Sequence, residues 1–282
     1  MEKVFCFGRF SPEIISQIAR PSPILFPLPA ILQNHQTQQE MKIELYPTFD
    51  SVFIDEQLKG IFYPLCAIEL NDEKNTKLFF VSSNGIWTNE NNSTENNNNT
   101  YTKFNLVGNK YQFNGNIELY NGYETAKQIF QTLETDFEEN GKKYLDNKTK
   151  TEEYINQAKS KISIPESTEF DIDYYIQTFY EFSINKLNFQ LTNEFGAFRG
   201  IIDGWGKSEK KSPIVYEVSS DNNSSFADIE INAEYLFPKS IKLTDYVKIG
   251  QVIGFEFFTD GNDSILLYNK NDKTVLSINS YS

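Results

Sequence analysis

The chain is poorest in histidine. One imidazole occurs in 282 residues: His35, in the polar stretch Gln33-Asn34-His35-Gln36 that precedes the patterned sequence. A Ser-His-Asp triad, a Cys-His pair, a His-rich zinc site and a two-histidine iron site all need imidazole in the core. None of these is predicted. Cysteine is nearly as scarce, with Cys6 and Cys66 alone, too few for a disulfide framework, which reads as a cytoplasmic chain. Cys66 sits in the apolar run from Tyr63 to Leu70 and reads as a small buried hydrophobe, not a nucleophile.

Basic residues are in deficit too. Against 39 acidic side chains stand 26 basic ones, a net charge of -13. Binding to a nucleic-acid backbone or an anionic membrane needs a basic patch, so neither partner is expected. The acidic surplus favours solubility and a cationic partner, such as a basic protein surface. Long hydrophobic runs are missing as well. The apolar stretch Ile24 to Leu32 is broken by Pro27 and Pro29 and is too short to span a bilayer. With Pro12, Pro21 and Pro23 it makes residues 1–40 an irregular, proline-rich N-terminal extension. Asn-x-Ser/Thr triplets such as Asn147-Lys148-Thr149 are chance matches in an Asn-rich chain.

From residue 41 to 282 a single domain is expected. Ile43, Leu45, Val52 and Ile54 alternate with polar residues, and Ile61 to Leu70 follows Gly60. Lys77 to Ser82 is apolar and ends at Asn84-Gly85, which is strand followed by turn chemistry. Residues 89–100 form an Asn-rich low-complexity segment, predicted as a mobile surface loop without a buried face. Strands are expected again at Tyr101 to Leu106 and Lys110 to Leu119. The period then changes: Tyr123, Ala126, Phe130, Leu133 and Phe137 step by three and four, giving an amphipathic helix that Gly141 would end. Tyr144 to Lys161 continues as helix, and a further helix runs from Asp171 to Asn188 on Ile172, Tyr175, Phe179 and Phe182. The last third returns to strands: Pro213 to Ser219, Gly250 to Thr259, and a hairpin of Leu266 to Asn269 with Thr274 to Ile278. The turn Asp260-Gly261-Asn262 is expected to join the middle pair. Together these predict an α+β fold, mainly antiparallel sheet, with two or three amphipathic helices inserted at about 121–189.

No catalytic constellation emerges. Gly206-Lys207-Ser208 lacks the glycine spacing of a phosphate loop and opens a strand rather than a helix. The Asp260-Gly261-Asn262-Asp263 turn lacks the ligand set of a calcium loop, and turn chemistry accounts for it. Glu138-Glu139 and Glu152-Glu153 fall on solvated helix faces. No catalytic residue, metal site or cofactor is therefore predicted. The candidate binding residues are Asp203 and Trp205 in the glycine-rich segment Phe195 to Gly206, with Glu256 and Asp260.

Two parts of the chain are similar to each other. Tyr63-Pro64-Leu65 and Ala67-Ile68-Glu69-Leu70 precede Leu78-Phe79-Phe80-Val81, while Ser212-Pro213-Ile214 and Tyr216 to Asp221 precede Gly254-Phe255-Glu256-Phe257-Phe258. This order resembles the bacterial YwqG-like family of uncharacterised proteins, with Glu69 and Glu217 where the family carries Gln. The resemblance implies a mixed, mainly β fold and interaction or toxin-immunity roles, and transfers no catalytic residue. The leading expectation is a non-catalytic protein-interaction module that neutralises a basic partner. The alternative is a carboxylate-based hydrolase or carbohydrate-binding protein.

Overall fold

A computed structural model describes residues 42–70, 75–88, 93–163, 170–196, 201–202, 214–216 and 237–280, all within the compact unit spanning 41–282. The expectations for 1–40, for most of Pro213 to Ser219 and for the end of the glycine-rich segment lie outside the described residues.

The fold is α+β. Strands β1 (Ile43–Leu45), β2 (Tyr63–Glu69) and β3 (Lys77–Ser82) form a small sheet in that order. A larger sheet is built from β4 (Tyr101–Val107), β5 (Lys110–Phe113), β6 (Val215–Tyr216), β7 (Val247–Val252), β8 (Asp263–Asn269) and β9 (Thr274–Ser280), in the order β5-β4-β9-β8-β7-β6. All neighbouring pairs are antiparallel. The helices are a single turn α1 (Phe49–Val52), then α2 (Tyr123–Asp146), α3 (Thr151–Lys159) and α4 (Ile172–Thr192).

The two sheets are tied together by hydroxyls. Ser264 and Ser277 both donate to the Val81 carbonyl, at 3.0 and 3.2 Å, and the Tyr111 hydroxyl bridges the backbone of Phe79. Period-two alternation buries both faces of the larger sheet. Leu266, Tyr268 and Val275 join the main core, while Ile265, Leu267, Leu276 and Ile278 face a second cluster with Tyr246. Helix α4 is apolar almost all round, burying Tyr175, Ile176, Phe179, Tyr180, Phe182 and Ile184, as a helix packed on several sides must. Asp171 caps it by accepting from the Tyr174 amide.

Several expectations are corrected. The Val52 and Ile54 alternation is not a strand: the Phe49 and Phe53 rings pack tilted at 4.8 Å, an i,i+4 pair that holds a helical turn. Strand β5 stops at Phe113, because Asn116 accepts from the Glu118 amide and opens a 3₁₀ turn at Ile117–Leu119. Gly141 does not end α2; it is buried under the Phe137 ring, which would lie 2.6 Å from an added Cβ. The break comes at Lys148, whose φ of 51° accompanies bonds from Lys148 to Leu145 and from Thr149 to Tyr144, a Schellman closure. Tyr144 to Lys161 is therefore two helices.

Nor is Gly250 to Thr259 one strand. β7 ends at Val252, and a 3₁₀ turn at Gly254–Glu256 turns Phe257 and Phe258 into the core. The loop closes on itself because Gly254 has no side chain: a Cβ there would sit 2.2 Å from the Gly261 carbonyl. Asp263 secures it by accepting from the Gly254 amide and from Gln251. The segment Gly254 to Phe258 thus differs from the strand Leu78 to Val81 with which the sequence aligned it.

Candidate functional site

Strand β3 ends in the turn Ser82-Ser83-Asn84-Gly85, which crosses directly over α4. Gly85 has φ 87°, and an added Cβ would lie 2.9 Å from the Thr178 side chain, so only glycine fits there. The Asn84 amide is fixed from both ends. It donates to the Thr178 hydroxyl at 3.1 Å and accepts from the Tyr174 hydroxyl at 2.9 Å. This crossing places Trp87 at the rim, 38% exposed, with its ring 6.2 Å from that of Tyr174.

Opposite this turn stands the Asn-rich segment, whose described residues 93–100 are irregular, like a loop, but partly buried, unlike the solvated segment expected. Within residues 93–100, Asn97 is fully buried; its side chain donates to the Asn116 carbonyl and accepts from the Thr94 hydroxyl. Asn98 accepts from the amides of Thr100 and Tyr101. The asparagines thus act as turn formers whose side chains substitute for backbone partners.

Between the two lies a cleft of about 380 Å³. Its lining comes from the turn after β3 (Ser83 to Thr88), from Asn98 and Asn99, from Tyr120 and Tyr174, and from Asn262 and Asn279. None of these side chains carries a charge. Asn279, near the end of β9, donates to Ser83 at 3.3 Å. Tyr120 shares a hydrogen bond of 2.9 Å with Thr102, and burial raises its phenol pKa so that it stays protonated. Thr88 is 2% exposed, and its Oγ1 has no hydrogen-bond partner among the described residues.

The candidate residues chosen from sequence fall elsewhere. Asp203 and Trp205 lie outside the described residues. Glu256 is half-buried in the 3₁₀ turn, where burial raises its carboxyl pKa, and its charge adds to the burial that holds up the Tyr46 phenol. Asp260 is exposed and faces a buried carboxylate, Glu181 of α4. Both oxygens of Glu181 accept from Thr259, its amide and its hydroxyl each at 2.7 Å. Burial first, with some help from Asp260, pushes its pKa up to about 7. Neither Glu256 nor Asp260 lines the cleft; the same turn contributes Asn262 instead. Among the described residues no group of three His, Cys, Asp or Glu side chains is placed to hold a metal ion, and no helix is long and apolar enough to cross a membrane. Cys66 is buried and free, and burial raises its thiol pKa.

Sequence reasoning missed Trp87, Tyr174 and the asparagines of the cleft. The available signal was an Asn-Gly turn followed at once by a tryptophan and an amide-rich run. Compared with known proteins, the chain matches no family model, no curated protein and no solved structure.

Proposed function

We propose that the protein is a carbohydrate-binding module that recognises an uncharged, hydroxyl-rich ligand in the cleft beside Trp87 without transforming it. The observation that carries this reading is the chemistry of the lining: amides, hydroxyls and an exposed indole, with no charge among the described residues, in a chain whose net charge is -13. Amide side chains offer a donor and an acceptor side by side, which matches adjacent sugar hydroxyls. An indole at the rim offers flat apolar area to the C–H face of a sugar ring and an N–H to its edge. The fixed Asn84 and the closed Asn-rich turn preorganise the polar groups, which lowers the entropic cost of binding.

A glycan array followed by isothermal titration tests this. Neutral glycans are expected to bind, and Trp87→Ala to lose that binding; no neutral glycan binding at millimolar concentration would overturn it. The second reading, an interaction module of YwqG-like type for a basic protein, is favoured by the charge of -13. It predicts capture of a basic partner that weakens steeply with salt.

A further inference from the structure

Helix α4 borders a second cavity, of about 460 Å³, which it shares with α2 and the start of β2. Its walls are aromatic. Phe130 of α2 meets Phe179 of α4 edge to face at 5.6 Å, and Phe182 packs on Tyr63 at 4.9 Å. Five charged groups stand among these rings, and two of them are already engaged. Lys142 pairs with Asp146 at 2.7 Å and Lys59 approaches Asp50 at 3.9 Å; Glu138 is exposed. Lys186 of α4 and Glu134 of α2 are different. Both are half-buried, and among the described residues neither side chain makes a hydrogen bond or an ion pair.

Each feels the other's charge, yet they do not meet. Burial raises the pKa of Glu134 and lowers that of Lys186, each offset in part by opposite charge: Lys59 then Lys186 for Glu134, and Glu134 for Lys186. An ammonium and a carboxylate held apart in an apolar setting are both under-solvated. A ligand with a single negative charge would satisfy Lys186 and be repelled by Glu134. A single positive charge has the reverse problem. Only a group carrying both charges close together relieves both side chains.

We propose that this cavity binds a free α-amino acid with a large apolar side chain. Its carboxylate pairs with Lys186, its ammonium pairs with Glu134, and its side chain lies among Phe130, Phe179 and Phe182. A residue inside a peptide lacks both charges, so the free amino acid is the form that fits. The cavity volume falls in the range of small-molecule sites. Binding here is independent of the cleft beside Trp87.

The test is isothermal titration of the full chain with three probes that share one apolar body: L-phenylalanine, 3-phenylpropionate and 2-phenylethylamine. Phenylalanine is expected to bind, and each single-charge analogue to bind at least about tenfold more weakly. Lys186→Met should weaken phenylalanine and phenylpropionate while sparing phenylethylamine. Glu134→Gln should weaken phenylalanine and phenylethylamine while sparing phenylpropionate. Should either variant fail to fold by circular dichroism, the probe series on the unaltered chain still decides. Equal binding of the three probes, tighter binding of either analogue, or no binding of phenylalanine at millimolar concentration would overturn the proposal.

Discussion

One helix serves two cavities of opposite character. Along α4, Tyr174 reaches the cleft and Thr178 the asparagine that borders it, while Phe179, Phe182 and Lys186 line an aromatic cavity that holds charge without an ion pair among the described residues. In the cleft the Asn84 amide, which meets α4, is fixed by hydrogen bonds at both ends, so its polarity is already committed to one geometry. In the cavity Lys186 and Glu134 make no ion pair among the described residues, and the apolar walls provide the shape. Directional hydroxyls would suit the first arrangement, and a group carrying its own charges would suit the second.

The largest expected effect lies at the crossing that forms the cleft. Gly85→Ala forces a Cβ into Thr178 at a positive φ, and should destabilise the protein by about 2–4 kcal/mol, read by urea denaturation. Binding in the cleft should fall with it, while the phenylalanine response of the cavity survives in the folded fraction. Loss of both responses in equal measure would erase the distinction between the two sites.

Next is Glu181, on the face of α4 that anchors the loop after β7. Its folded pKa of about 7 exceeds the ordinary 4.5, so the folded state binds the proton more tightly. Stability from this group is fully present below about pH 4.5 and is lost as pH rises through 7, by up to about 3 kcal/mol. Glu181→Gln keeps an acceptor for the Thr259 amide and removes the titration. Its thermal midpoint at pH 8 should exceed that of the unaltered chain, and its pH profile from 5 to 8 should be flatter. An unchanged profile would show that Glu181 does not carry the dependence.

The smallest effect is expected in the cavity. Lys186→Met removes a half-buried ammonium without a partner and should change stability by less than about 1 kcal/mol, in the stabilising direction. Clear destabilisation in thermal melts would mean that Lys186 is engaged in the unliganded protein, and the contrast with the cleft would narrow.

Much of the architecture was legible from residue order. Helix α2 shows a period near 3.6, the β8–β9 hairpin shows two short apolar runs around a polar turn, and Asn269 accepting from the amides of Asn271 and Asp272 fixes the turn that the sequence located. Places where one side chain decides the backbone were not legible. Gly141 would end a helix by propensity, yet the Phe137 ring occupies the space that a side chain would need. Gly254 breaks a strand because its backbone touches Gly261, a contact invisible to periodicity. The cleft was hidden for a related reason. It draws one or two polar residues from each of several distant segments, and hydrophobic pattern reports burial rather than surfaces that converge on a ligand. Asn97 shows the limit most plainly: composition marks it as solvated, while four neighbouring groups bury it completely.

The central claim is that the uncharged cleft binds a neutral sugar through Trp87. The most direct measurement is isothermal titration of the strongest neutral glycan from an array against the unaltered chain and Trp87→Ala, both shown folded by circular dichroism. The account predicts saturable binding by the first and at least about a tenfold loss in the second, with thermal midpoints within a few degrees. Equal affinity in both proteins, or binding only of charged glycans, would contradict it.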